Sequence, residues 1–144
     1  EFSYNRANYL AVTADLTSAT WNTVAAHEIL AVTGAVRLRI IPQCTSDVTS
    51  GGASTFILGT ETTTNAFIGS TDGTTIDADE FWLSTTSAHV FASTSVIDQI
   101  VTGGKDVGYT IGTSAATAGT IIFHCWWEPI DTTGAVTAGA GGVL

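Results

Sequence analysis

The sequence predicts an all-β chain: an antiparallel β-sandwich, jelly-roll-like, with flexible terminal arms. Three observations carry this expectation. Of 144 residues, 44% are hydrophobic and only 12% charged, about half the charged share usual for a soluble domain. The polar residues are dominated by 26 threonines, with 15 glycines, two prolines and no methionine, a mix that favours strands and turns over helices. Short apolar runs recur roughly every 8–15 residues, separated by turn residues and without a 3.6-residue period. The length suits one domain with one core, placed at residues 10–130 between an N-terminal arm (1–9) and a Gly/Ala-rich C-terminal tail (131–144).

The clearest local pattern spans residues 24–45. Two β-rich runs, VAAHEILAV and AVRLRIIPQC, flank Thr33 and Gly34, a pair suited to a tight hairpin turn. In that register Ile29 faces Leu38, Ala31 faces Val36, His27 faces Ile40 and Glu28 faces Arg39, with apolar pairs on one face and opposite charges on the other. Pro42, which lacks an N–H, then ends regular pairing or marks an edge or bulge. Beyond the turn TSDVTSGGAS, STFILG (54–59) and NAFIGS (65–70) read as strands joined by the polar TETTT linker. STDGTTIDADE reads as a loop, followed by strands EFWLST (80–85), HVFAS (89–93) and SVIDQIV (95–101). A GGKD turn leads to VGYTIG (107–112) and then to the strongest apolar run, TIIFHCWWE (120–128).

In that last run Ile121, Phe123, Cys125 and Trp127 share one face, while Ile122, His124, Trp126 and Glu128 share the other. Large apolar groups on both faces predict a central strand whose second side is covered by another sheet, a loop or another subunit. The N-terminal EFSYNRANY carries Phe2, Tyr4, Arg6 and Tyr9, residue types enriched at interfaces, before any clear strand. The tail GAVTAGAGGVL has almost no anchoring side chain before Val143 and Leu144, so it is expected to be flexible. The candidate interface residues are therefore Phe2, Tyr4, Arg6, Tyr9, Ile122 and Trp126. A frayed terminus without function is the alternative at either end.

A formal charge of −9, from thirteen acids and four bases, opposes contact with a phosphate backbone, so nucleic acid is not an expected partner. No run approaches the roughly 18 apolar residues of a membrane span, and the chain reads as soluble. No basic-then-apolar leader opens it, which leaves secretion undecided. Cys44 and Cys125 match no CxxC spacing and read as buried free thiols, with a cross-strand disulfide as the alternative. His27 falls on the apolar face of the hairpin, as a satisfied core or interface histidine would. His124 and Cys125 are adjacent on a strand and point to opposite faces, which argues against a Cys/His pair, and His89 has no patterned partner.

No GxSxG, HExxH or phosphate-loop signature is present, and no enzyme activity, cofactor or metal is expected. Asp72, Asp77, Asp79 and Glu80 could supply oxygens to Ca²⁺, but their spacing is not that of an EF-hand, and a solvated acidic loop is the simpler account. Carboxylates from the same cluster are too close in sequence to establish opposed placement across a sugar. Of four tryptophans, Trp82, Trp126 and Trp127 lie in apolar strands, leaving Trp21 as an isolated candidate for stacking on a sugar ring.

Three stretches, SATWNTVAAHEIL with AVTGAVRLRI, FHCWWEPI, and GAVTAGAGG, give the chain a pattern that resembles small structural proteins of tailed bacteriophages. These are capsid decoration (cement) proteins or related accessory virion proteins. The resemblance implies a β-sandwich that trimerises and sits on the capsid surface, with the major capsid protein lattice and further copies of itself as partners. A subunit of a tail, fibre or extracellular filament is the alternative from the same composition. A secreted carbohydrate-binding module is the alternative from another class.

Overall fold

The computed structural model describes residues 8–96 and 98–144. In chain order its elements are β1 (Tyr9–Asp15), α1 (Ala19–Asn22), β2 (Ala26–Thr33), β3 (Val36–Ser50), β4 (Thr55–Thr60), β5 (Ile68–Asp72), β6 (Phe81–Trp82), β7 (Ser87–Ala88), β8 (Asp98–Val101), β9 (Val107–Gly112), β10 (Ala116–Pro129) and β11 (Ala135–Ala138). Two antiparallel sheets pack together, as an all-β sandwich requires. One is ordered β1-β10-β3-β6-β7, with β8 also paired to β3, and the other is ordered β11-β2-β9-β4-β5. Among the described residues no helix is long and apolar enough to cross a membrane.

Period-two alternation places one side of each strand in the shared core. Val12 and Ala14 of β1, Ile121, Phe123 and Cys125 of β10, and Val36, Leu38 and Ile40 of β3 are buried from one sheet. Phe56 and Leu58 of β4 and Tyr109 and Ile111 of β9 are buried from the other. Tyr109 stacks on Phe56 at 5.9 Å and on Phe123 at 5.4 Å, and Phe56 meets Trp82 edge-on at 6.0 Å. Two polar ends in this cluster are satisfied: the Tyr109 hydroxyl donates to the Trp21 carbonyl (2.6 Å) and Trp82 Nε1–H to Thr71 Oγ1 (2.9 Å). Burial of each such side chain contributes about 1.5–3 kcal/mol.

The expected hairpin at residues 24–45 does not form. β2 pairs with β9 and β11, whereas β3 pairs with β10, β6 and β8, so the Thr33-Gly34 turn carries the chain from one sheet to the other. Ile29 and Leu38 are both fully buried, but from opposite walls of the core instead of side by side. Glu28 consequently does not oppose Arg39, whose strand neighbours are Trp126 and Asp98. A bulge between Glu28 and Leu30 also shifts the phase, burying Leu30 and Val32 and turning Ala31 outward.

Pro42 does not end β3, which stays paired with β10 through Pro42↔Phe123. The N–H of Cys44 points away from β10 to the Glu80 carbonyl (2.8 Å). The missing N–H of Pro42 faces that same edge, in the gap between β8 and β6, where no donor is needed.

Several strands are shorter than expected. The run at 65–70 forms a strand only from Ile68, the run at 80–85 only at Phe81–Trp82, and the run at 95–101 only from Asp98. Residues 89–92 form no strand. β1 is an additional strand, and it takes in Tyr9, the last residue of the expected arm. Phe2, Tyr4 and Arg6 lie outside the described residues.

The C-terminal segment is not a free tail. β11 pairs with β2 from Ala135↔Thr33 to Ala138↔Leu30. The strap beyond it continues along β2 through Gly139 N–H to the Ile29 carbonyl (2.8 Å), Gly141 N–H to the Glu28 carbonyl (2.9 Å) and Glu28 N–H to the Gly142 carbonyl (2.9 Å), then a bridge between His27 and Val143. Its glycines permit this approach: a Cβ on Gly141, where φ is +76°, would lie 2.9 Å from Trp21 Cδ2. The composition that suggested flexibility is what lets the strap lie flat.

Candidate functional site

β10 is central, with β1 on one side and β3 on the other, and its outward residues form rows with theirs. Tyr9, Trp126 and Arg39 share one row, Ala11, His124 and Ile41 the next, and Thr13, Ile122 and Gln43 a third. The inward residues of these strands fill the core, so alternation obliges the outward ones to face away from it.

The aromatic members of these rows meet. Tyr9 and Trp126 have ring centroids 5.1 Å apart, and His124 lies 6.0 Å from Tyr9 and 6.2 Å from Trp126. The Tyr9 hydroxyl donates to His124 Nδ1 (2.7 Å), and His124 Nε2–H donates to Gln43 Oε1 (2.9 Å). The ring thereby links the Tyr9 hydroxyl to the Gln43 amide across β1, β10 and β3.

Phe81, held outward by its pairing with Gln43, and the loop residues His89, Val90 and Phe91 join Tyr9, Ile41, His124 and Trp126 around a groove of about 500 Å³. The loop is anchored beneath. Cys44 N–H donates to the Glu80 carbonyl and the Cys44 carbonyl accepts from Asp79 N–H, the Ser87 hydroxyl bonds the Glu80 carboxylate, and His89 Nδ1–H donates to the Asp79 carbonyl (3.0 Å). Val90 stands 84% exposed at the rim. Among the described residues, the second side of β10 is thus walled by a loop and an edge strand around an apolar groove.

Beyond the groove, Arg39 and Arg37 both donate to Asp98: Arg39 Nε to Oδ1 at 2.6 Å and Arg37 Nη2 to Oδ2 at 2.7 Å. Burial works against the Asp98 carboxylate, but these bonds and charges outweigh it and hold the group below the usual carboxylate range. Two of the chain's four basic residues are therefore engaged in an internal cluster on this face.

Of the residues singled out from sequence, the fold brings Tyr9 and Trp126 into direct contact. Ile122 lies on the same face two rows along, half-buried and outside the groove lining. Ile41, Phe81, Val90 and Phe91 were not foreseen, because their convergence depends on a loop folding over a strand that pairs at long range.

Trp21 is not an open platform. It stacks on Tyr109 at 6.4 Å and is approached by Gly141. Both cysteines are free and buried. Burial pushes the Cys44 thiol up to about 11 and the Cys125 thiol further, which keeps both protonated at neutral pH.

In the acidic loop Asp72 caps a turn by accepting from Thr74 N–H (3.0 Å) and its hydroxyl (2.8 Å), and Glu80 is held by Ser87. Among the described residues no group of three His, Cys, Asp or Glu side chains is placed to hold a metal ion. The groove instead offers aromatic and aliphatic surface with a fixed polar relay at its base, an arrangement that binds by burying apolar area. No protein-family model, curated protein or solved structure matches the chain.

Proposed function

We propose that the protein is a structural virion protein of the capsid decoration type. It docks on the assembled major capsid protein lattice through the outer face of the β1-β10-β3 sheet and works as a homotrimer on the capsid surface. The observation that carries this reading is the groove bounded by Tyr9, Trp126, Phe81 and Phe91, with Val90 exposed at its rim. An apolar channel in a chain of net charge −9 suits a neutral or basic landing site that inserts an apolar segment. Many copies on one shell gain by multivalency, so each contact can be small. Binding only the assembled lattice would stabilise that lattice by mass action.

The strand order supports the jelly-roll form of the sandwich. The pairings β1·β10, β2·β9, β3·β8 and β4·β5 are nested, as in one long antiparallel ribbon rolled into two sheets. Jelly rolls serve viral shells and lectins alike, so this analogy supports a binding role without choosing the ligand. Electron microscopy of the native assembly chooses. Icosahedral shells bearing the protein at regular surface positions are expected. Filaments would replace the proposal with a fibre subunit. Isolated molecules retained on a glycan array would replace it with a carbohydrate-binding module.

A further inference from the structure

His27 is the buried titratable group to which the docking face assigns no role. It is 3% exposed, and both ring nitrogens face backbone carbonyls. Nδ1 lies 3.0 Å from the Thr20 oxygen and 3.2 Å from that of Gly141, and Nε2 lies 2.9 Å from that of Thr23. A carbonyl oxygen only accepts, so both nitrogens must carry protons for all three contacts to be hydrogen bonds. The ring form this cage satisfies is the imidazolium. A neutral ring would turn a lone pair toward a carbonyl lone pair, losing Thr23 in one tautomer, or Thr20 and Gly141 in the other.

We propose that His27 is a protonation-dependent clasp that fastens the C-terminal strap, residues 139–144, to α1 and to the edge of β2. Thr20 and Thr23 belong to the α1 turn, whose carbonyls lack partners within so short a helix, while Gly141 belongs to the strap. One ring therefore joins three segments.

The elements packed around it supply little other charge. α1, β11 and the strap carry no charged side chain, and β9 contributes only the Tyr109 ring at 5.2 Å. On β2 itself the neighbouring Glu28 projects away from the ring but lies against Gly139 of the strap and interacts with Asp106. Burial raises its carboxyl, so Gly141 and Leu144 are the amides that report on His27. A ring that lacks either proton gives up one of these attachments, and the strap loosens from its end. This uncovers Trp21 and the cleft of about 270 Å³ lined by Thr20, Thr23, His27 and Gly141.

The test uses the intact chain. Histidine side-chain ¹⁵N spectra between about pH 5 and 8 are recorded alongside amide exchange at Gly141 and Leu144, expressed as protection factors. At the acid end His27 is expected to carry two ring protons. Protection of the strap should fall about tenfold as the His27 signal titrates, since a hydrogen bond to a charged donor contributes about 1.5–3 kcal/mol. Protection within β10 should not follow. In His27→Gln the strap's protection should no longer depend on pH. A singly protonated His27 throughout, or strap protection that does not track its titration, overturns the proposal. Both readings come from the wild-type chain and stand even if the variant fails to fold.

Discussion

His27 and His124 sit on strands of opposite sheets, and their ring nitrogens face different partners. His124 lies between the Tyr9 hydroxyl and the Gln43 amide oxygen, both side-chain groups. His27 meets three backbone carbonyls and no donor, the geometry on which the proposed clasp rests. Aromatic contacts thus dominate the floor of the groove, and hydrogen bonds to the backbone gather where chain segments meet. Identical side chains line a groove in one place and bridge chain segments in the other because of what faces their nitrogens.

The largest effect of a single substitution is expected at the fastening. His27→Leu leaves the Thr20, Thr23 and Gly141 carbonyls without their donor and should cost about 3 kcal/mol in urea unfolding, with the strap amides exchanging first. Trp126→Ala removes a half-buried ring from the groove and should cost about 2 kcal/mol. It should weaken attachment to shells more than tenfold, because aromatic anchors dominate interface energetics. Tyr9→Phe keeps the ring contact and deletes only the bond to His124 Nδ1. A loss of about 1 kcal/mol is expected, together with a changed His124 ring spectrum and an unchanged His27 spectrum.

What was legible in the sequence follows the range of the interactions. The β10 run is recognisable because its two-faced apolar pattern is local, and the run Val107–Gly112 forms β9 over its whole length. β1 was missed although Val12, Ala14 and Leu16 alternate into the core, because the aromatic residues before it drew that end toward an arm. The Thr33-Gly34 turn misled for a physical reason. Hairpin chemistry specifies a reversal of direction but not which sheet the second strand joins, and here the partners come from β9 and β10, some 80 residues away.

The tail was misread because small residues suggest entropy when the backbone they permit to approach is not in view. A finer local signal was present throughout. The Asp-Xaa-Thr steps at Asp15, Asp72 and Asp131 each close a turn in which the aspartate accepts from the N–H and the hydroxyl of the threonine. Of the docking site, Tyr9 and Trp126 were readable as residue types that want cover. The loop residues Val90 and Phe91 were not, since nothing local says that HVFAS packs over β3 instead of extending as a strand.

The most direct test of the docking face is occupancy of Val90→Asp on assembled shells, measured by electron microscopy and co-sedimentation. Val90 is 84% exposed, so the variant should unfold within about 0.5 kcal/mol of the parent chain. If the groove is the contact, a charge at its rim leaves the protein folded and strips it from the particles. A folded Val90→Asp variant that occupies shells as fully as the parent would contradict the assignment of this face.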